Sequence, residues 1–166
     1  MNQSNFLSLT ERDEMYALLL SQMESLLEGE HYVISNLANA SALLMSELRD
    51  INWVGFYLVH QGELLLGPFQ GKVACVHIAV GKGVCGTAVL KNETQLVEDV
   101  HQFPGHIACD SASNSELVIP LRSQGQVVGI LDIDSPCLGR FDAVDAQWLE
   151  KIAHVIEEAC DWGRCC

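Results

Sequence analysis

The sequence predicts an α+β fold in which helices flank a single, mostly antiparallel sheet. Apolar residues recur at helical spacing near both ends of the chain, whereas from Ile51 onward they alternate with a period of two. Gly-containing turns separate the alternating segments, as is typical of antiparallel strands. Because 166 residues suffice for one packed core and no repeat or linker divides them, we expect a single domain over residues 1–166.

Residues 1–50 are predicted to form two packing helices. The first starts after Thr10 and ends near Gly29, and the second follows it. The residues expected to face inward are Tyr16, Leu19, Met23 and Leu26 in the first helix and Ile34, Leu37, Ser41, Leu44 and Leu48 in the second.

Residues 51–136 are predicted to hold a sheet of about six strands and the loops of a candidate site. The apolar runs that we assign to strands are INWVGFYLV, GELLLG, VACVHIAV, TQLVEDV, ELVIPLRS and QVVGILDIDS. A short helix is predicted in GVCGTAVLKN and a long closing helix over residues 141–162. The residues of the closing helix expected to face inward are Phe141, Val144, Trp148, Ile152 and Val155.

The chain is strongly acidic, with a formal net charge of −13 from 22 acidic and 9 basic residues. Such a charge repels phosphate backbones and anionic lipid, so we expect no nucleic acid and no membrane among its partners. We find neither a signal-peptide pattern nor a run long enough to span a membrane, and therefore expect a cytoplasmic protein. In that reducing compartment, seven irregularly spaced cysteines indicate metal binding, thiol chemistry or packing.

Two aspartates continue an apolar strand face in VVGILDIDS. Alternation places Asp132 and Asp134 on the face shared by Val128 and Ile130. For a generic strand end, this pattern would indicate only that the strand runs out into solvent. The preceding strand changes that interpretation.

The segment ELVIPLRSQGQVVGILDID predicts a hairpin with a three-residue loop over residues 123–125. Pairing Arg122 with Gln126 places Glu116 opposite Asp132. Three carboxylates would then cluster beside the polar loop that precedes this hairpin. Such a cluster is typical of a site that binds a positive ligand or holds a proton.

Cys109 lies in that polar loop, GHIACDSASNSE, where His106 could support a thiolate. These neighbours favour a reactive thiol over a buried small hydrophobe. Cys85, at the predicted N-terminus of a helix, is an equally good nucleophile from local physics alone. Cys75 lies in a strand-like run, where packing is the plainest role. The cysteines to which we assign no role are Cys137, Cys160, Cys165 and Cys166.

A metal site is the alternative use of the cysteines and histidines. Its candidate ligands would be Cys75, His77, His101, His106 and Cys109. Their spacings match no common zinc pattern, so we predict no metal site.

Four segments, NWVGFYL, LGPFQGKVACVHIAVGKGVCGTA, GHIACDSASNSELVIPL and GILDIDSP, closely resemble the free methionine-R-sulfoxide reductases. This family is built on a single GAF domain, and the resemblance runs from about Ile51 to the closing helix. It implies an antiparallel sheet of about six strands with helices on its faces. It also implies an enzyme that reduces free L-methionine-R-sulfoxide to methionine, with thioredoxin as external reductant and no bound cofactor.

The resemblance further implies a role for each candidate residue. Cys109 would be the nucleophile, Cys75 the main recycling thiol and Cys85 a further redox thiol. Trp53, which from the sequence alone would be a core aromatic, would pack on the substrate methyl group. The carboxylates expected to line the substrate pocket are Glu116, Asp132 and Asp134.

The chemistry of the reaction matches these residue types. The sulfoxide oxygen can leave only if it is protonated, and Glu116, kept neutral by burial and by neighbouring acids, suits that role. Asp134 could hold the ammonium group that distinguishes the free amino acid from a peptide residue. The resulting sulfenic acid would condense with a second thiol to a disulfide, which thioredoxin would reduce.

A different class of function stays open at this point, namely a non-catalytic GAF module that binds a small molecule or senses redox state. Such modules signal through an attached domain, and we expect none here because the chain ends after the closing helix. The oligomeric state is also open, with a homodimer as one option.

Overall fold

The computed structural model describes residues 8–105 and 111–164. Within them the chain forms α1 (Leu9–Leu27), α2 (Val33–Glu47), β1 (Trp53–His60), β2 (Glu63–Gln70), β3 (His77–Ala79), α3 (Gly83–Lys91), β4 (Gln95–Val97), β5 (Ser115–Ser123), β6 (Gln126–Ser135) and α4 (Ala143–Ala159). Short 3-10 turns occur at Val100–Gln102 and Trp162–Arg164. The predicted α+β class with about six strands is confirmed.

The six strands form one antiparallel sheet in the order β3-β2-β1-β6-β5-β4. Residues on one face of the central strands, such as Phe56, Ile119 and Leu131, join the side chains of α1, α2 and α4 in the larger core. Residues on the other face, such as Tyr57, Val118 and Ile130, pack with α3 in a second core. The side chains of the candidate site that lie in the sheet belong to this second face.

A buried polar network joins α1 to α4. The Tyr16 hydroxyl donates to Asp145 Oδ1 at 2.6 Å, and Arg12 and Arg140 lie 3.0 and 3.3 Å from the same carboxylate. Arg12 also forms two hydrogen bonds with Asp142, at 2.8 and 2.9 Å, and Asp142 caps α4. Because Asp145 is paired in this way, a carboxylate can occupy an inward position of α4.

The inward faces of three helices differ by one position from those predicted. Leu26 and Ile34 are 40% and 55% exposed, and their neighbours Leu27 and Val33 are buried instead. In each pair two apolar residues adjoin, so periodicity alone could not choose between them. In α4 the buried residues are Asp145, Leu149, Ile152, Ala153 and Ile156. Apolar periodicity could not predict this face, because the polar Asp145 lies in it. The predicted Val144, Trp148 and Val155 are only half-buried.

The predicted register of the β5–β6 hairpin is wrong. The turn contains two residues, Gln124 and Gly125, both with positive φ (51° and 78°), as in a type I′ turn. Beyond it the register shifts again at a bulge, where Val128 is the extra residue of β6 and packs with the larger core. Glu116 therefore lies opposite Asp134 rather than Asp132.

The third strand is also shorter than predicted. Only His77–Ala79 pairs with β2, and Cys75 precedes the strand in an irregular segment over residues 71–76. We call this stretch the Cys75 segment.

Candidate active site

A pocket opens on the α3 side of the sheet, beside the first half of β1 and the end of β6. One wall is aromatic and consists of Trp53 and Tyr57. The acidic part is formed by Glu116, Asp132 and Asp134, and the opposite wall is the start of α3. The pocket therefore combines an apolar cage with a cluster of carboxylates.

Strand pairing brings the three acids together. Asp134 lies opposite Glu116 on β5 and opposite Trp53 on β1, while Asp132 lies opposite Gly55. Glu116 and Asp132 are 5% and 6% exposed. The predicted acid cluster is present because the wrong register differs from the observed one by two residues, and side chains two residues apart share a face.

The two most buried acids hold protons unequally. Burial, reinforced by the charges of Asp132 and Asp134, raises the pKa of Glu116 well above its usual range. Burial also raises the pKa of Asp132 to about 6, but hydrogen bonds with Cys85 and Glu116 limit the shift. Burial therefore favours the protonated form of Glu116, whereas the pKa of Asp132 stays below neutral pH.

One oxygen of Asp132 lacks a hydrogen bond in the described part of the chain. Its Oδ2 accepts from the Cys85 thiol at 3.3 Å, whereas its buried Oδ1 has no partner there. A buried acceptor without a donor is costly, so a ligand that brings an N–H group to this oxygen is favoured.

Cys85 is an inward-facing thiol at the start of α3. It is 5% exposed, and its Sγ lies 3.6 Å from Glu116 Oε1 as well as 3.3 Å from Asp132 Oδ2. Burial, followed by the charges of Asp132, Glu116 and Asp134, raises the pKa of this thiol well above its usual range. The prediction that the helix N-terminus lowers the pKa of this thiol is therefore wrong, because burial and then the adjacent carboxylates outweigh the helix dipole.

Within residues 8–105 and 111–164, the side chains of Cys85, Glu116 and Asp132 form the group of donor atoms that could hold a metal. Cys85 Sγ and one oxygen each of Glu116 and Asp132 lie within 4.8 Å of one another. A metal would have to displace the protons that this buried, acidic environment favours on Cys85 and Glu116, whose pKa values are both raised. His77, a candidate ligand in the sequence, does not belong to this group, and its Nδ1 lies 2.9 Å from Glu63 Oε1.

The aromatic wall also holds the Cys75 segment. Trp53 stacks between Tyr57 and Phe69, with ring centroids 6.0 and 5.2 Å away. Its indole Nε1–H donates to Lys72 O at 3.0 Å, and the Tyr57 hydroxyl donates to Cys75 O at 2.9 Å. Cys75 is half-buried and disulfide-bonded.

Cys109 and His106 lie outside the described residues, but both ends of their loop are described. Val100 N–H donates to Asn114 O at 3.0 Å, and Asn114 N–H donates to Ser135 O at 2.7 Å. Ser113, which the sequence placed in an exposed loop, is 4% exposed and lines the pocket. It accepts a hydrogen bond from Asn52 at 3.1 Å. The loop that carries Cys109 therefore enters β5 at the pocket.

The remaining cysteines lie apart from the pocket or outside the described residues. Cys137 is exposed, and Cys160 is buried in the larger core, with Asn36 Nδ2 3.8 Å from its sulfur. Cys165 and Cys166 are outside the described residues.

Comparison with known proteins identifies the family of the chain. The family model described as GAF domain matches residues 34–161. A free methionine-R-sulfoxide reductase of Escherichia coli is 54% identical over 147 residues, which cover 89% of each chain. The chain belongs to the free methionine-R-sulfoxide reductase family. The prediction of a single GAF domain is confirmed with it.

Solved structures of the reductase family have the same fold. The structure of a Staphylococcus aureus fRMsr in its reduced form is 57% identical, with a TM-score of 0.86, and the match covers 87% of this chain and 94% of that one. A free methionine-R-sulfoxide reductase from Neisseria meningitidis, in complex with its substrate, is 42% identical with a TM-score of 0.89. That match covers 98% of both chains. In the described part of this family member, no helix is long and apolar enough to cross a membrane.

Three polar side chains of the pocket were not predicted from the sequence of this reductase-family chain. Tyr57, Lys82 and Ser113 all line the pocket. Tyr57 lies four residues after Trp53 on the same strand, so alternation already placed both rings on one face. Lys82 lies between two glycines ahead of the predicted α3, where a helix N-terminus and a cation indicate an anion site.

Proposed function

We propose that this chain reduces free L-methionine-R-sulfoxide to L-methionine, with Cys109 as nucleophile and Glu116 as proton donor. The observation that carries the proposal is the buried acid Glu116 beside Asp132 and Asp134 in a pocket with an aromatic wall. Family membership supports the same reaction, and the relatives include proteins named for it.

The pocket matches the parts of a free amino acid. The ammonium group would contact Asp132 and Asp134, and it would supply the N–H donor that Asp132 Oδ1 lacks among the described residues. The carboxylate would lie near Lys82 and the first turn of α3, which has no side-chain cap in the described structure. The methyl group would pack on Trp53.

The chemical step needs one thiol and one proton. The Cys109 sulfur attacks the sulfoxide sulfur, the sulfur–oxygen bond of the substrate breaks, and the oxygen is transferred to the cysteine. Glu116 protonates that oxygen as it leaves, and the proton given up by the Cys109 thiol returns Glu116 to its protonated form. The products are methionine and Cys109 sulfenic acid.

Recycling needs a second thiol. The Cys75 thiol attacks the sulfenic sulfur, which forms a Cys75–Cys109 disulfide and releases water. The disulfide bond at Cys75 supports this assignment. A dithiol protein of the thioredoxin class would then reduce the disulfide, which requires a reducing compartment such as the cytoplasm.

Single-turnover measurements test the assignment. The reduced protein is mixed with methionine-R-sulfoxide, methionine is counted per chain, and the disulfides are mapped. Cys109→Ser should give no methionine, whereas Cys75→Ser should give about one per chain and then stall as a sulfenic acid or as a Cys85 disulfide. Cys137→Ser, which changes an exposed thiol, is the control and should behave as the wild type.

Two outcomes would contradict the assignment. If Cys85→Ser abolished the first turnover and Cys109→Ser permitted it, the nucleophile would be Cys85. If the wild-type protein bound the sulfoxide without losing two thiols per chain, it would be a binding or sensing module rather than a reductase.

A further inference from the structure

We propose that Tyr57 is a positioning residue for disulfide formation, because its hydroxyl holds the Cys75 backbone in place. This inference rests on the proposed function, since it concerns the second chemical step. The Tyr57 ring is 2% exposed in the wall of the pocket, and its hydroxyl donates to Cys75 O at 2.9 Å. The hydrogen bond thus joins the substrate pocket directly to the residue that carries the resolving thiol.

The Cys75 segment depends on such anchors because little of it is buried. Val73 and Val76 are 88% and 53% exposed, so apolar packing contributes little to the position of the segment. Donor groups on the sheet hold the segment through hydrogen bonds to its carbonyl oxygens. Trp53 Nε1–H donates to Lys72 O at 3.0 Å, and Leu66 N–H donates to Val76 O at 2.9 Å. Tyr57 supplies the bond at Cys75 itself.

The position of Cys75 matters most in the step that forms the disulfide. The Cys75 thiol loses a proton and attacks the sulfenic sulfur, the S–OH bond breaks, and hydroxide leaves as water with that proton. Disulfide geometry is narrow, with Cα atoms about 4.4–6.8 Å apart. A hydrogen bond to the Cys75 carbonyl reduces the number of backbone conformations that fail this requirement. Methionine formation precedes this step and does not use Cys75.

Tyr57→Phe tests the inference, because it removes the hydroxyl and keeps the ring. Tyr16→Phe is the matched control, since the Tyr16 hydroxyl donates a buried hydrogen bond at 2.6 Å to Asp145 on the opposite side of the sheet. In a single turnover with methionine-R-sulfoxide, methionine is quantified over time, and the sulfenic acid is trapped with dimedone. In parallel, thiol loss reports disulfide formation.

In Tyr57→Phe, disulfide formation should slow about five- to tenfold more than methionine formation does, so that sulfenic acid accumulates. Tyr16→Phe should lower the stability of the fold and leave both rates unchanged. Equal slowing of both steps in Tyr57→Phe, or disulfide formation at the wild-type rate, would overturn the inference.

The thiol–disulfide equilibrium of the Cys75 disulfide with dithiothreitol distinguishes failure of this inference from failure of the proposed function. If the wild-type protein forms no methionine, the proposed function fails, and this equilibrium still tests Tyr57. Tyr57→Phe should then shift it about fivefold towards the dithiol, because the reduced Cys75 segment gains backbone conformations that the disulfide excludes. An equilibrium equal to that of the wild type would overturn the positioning role.

Discussion

Replacing Asp132 with asparagine should stabilise the protein at neutral pH and weaken substrate binding. Asp132 is 6% exposed, and one of its carboxylate oxygens lacks a hydrogen bond in the described part of the chain. The wild-type fold must keep this buried group ionised above its pKa, which costs free energy. Asparagine keeps the shape and removes the charge.

The magnitude follows from the pKa of Asp132, which burial raises from 3.8 to about 6. Below pH 3.8 the group is protonated in both the folded and the unfolded chain, so it costs nothing. As the pH rises, the unfolded chain ionises first, and folding becomes less favourable until the folded pKa is passed. At about 1.4 kcal/mol per pKa unit, the free energy of unfolding falls by roughly 3 kcal/mol by the time the pH exceeds 6. Asp132→Asn should recover an amount of that order.

Urea unfolding of the reduced protein measures this effect between pH 4 and pH 8. The difference in free energy of unfolding between Asp132→Asn and the wild type should be near zero at pH 4 and largest at pH 8. Glu47→Gln, at the exposed end of α2, is the control and should show no such trend. A difference that does not change with pH, or a variant less stable than the wild type at pH 8, would refute the reasoning.

Three further predictions concern the same pocket. Glu116→Gln should slow methionine formation by a factor on the order of 100 while Cys109 still reacts with iodoacetamide; an unchanged rate would assign the proton to an aspartate. N-acetylated methionine-R-sulfoxide should be a far poorer substrate than the free amino acid in steady-state assays, because it brings no ammonium group to the acids; comparable turnover would contradict their role in recognition. Gly71→Ala should destabilise the fold by on the order of 1–3 kcal/mol in urea unfolding, because φ there is 134° and a Cβ would lie 2.5 Å from Trp53 Cδ1. Gly62→Ala, at φ 86° with no atom near the added Cβ, should cost less.

Strand alternation was enough to predict the acid cluster. Because side chains alternate along a strand, Glu116 stays on the face of Asp132 and Asp134 whenever the register error is an even number of residues. The turn itself was mispredicted because Gln124 adopts a positive φ, which sequence preferences assign to glycine or asparagine. The strands and their order of appearance were therefore predictable, and the register was not.

Properties that depend on tertiary contacts could not be read from local sequence. Cys85 has the sequence context of an activated thiolate, yet the packing of α3 over the sheet places it against two carboxylates and raises its pKa. The hydrogen bond from Tyr57 to Cys75 joins a strand to an irregular segment 18 residues later. The buried Asp145 was missed for the same reason, because its partners Tyr16 and Arg12 lie at the other end of the chain.

The most direct test of the central claim is methionine production from the separate R and S sulfoxides of free methionine, with thioredoxin and its reductase as the electron source. We expect continuous turnover of the R form, little or no methionine from the S form, and no turnover of either by Cys109→Ser. Turnover of the R form by Cys109→Ser, or binding of the R form by the wild-type protein without formation of methionine, would contradict the account.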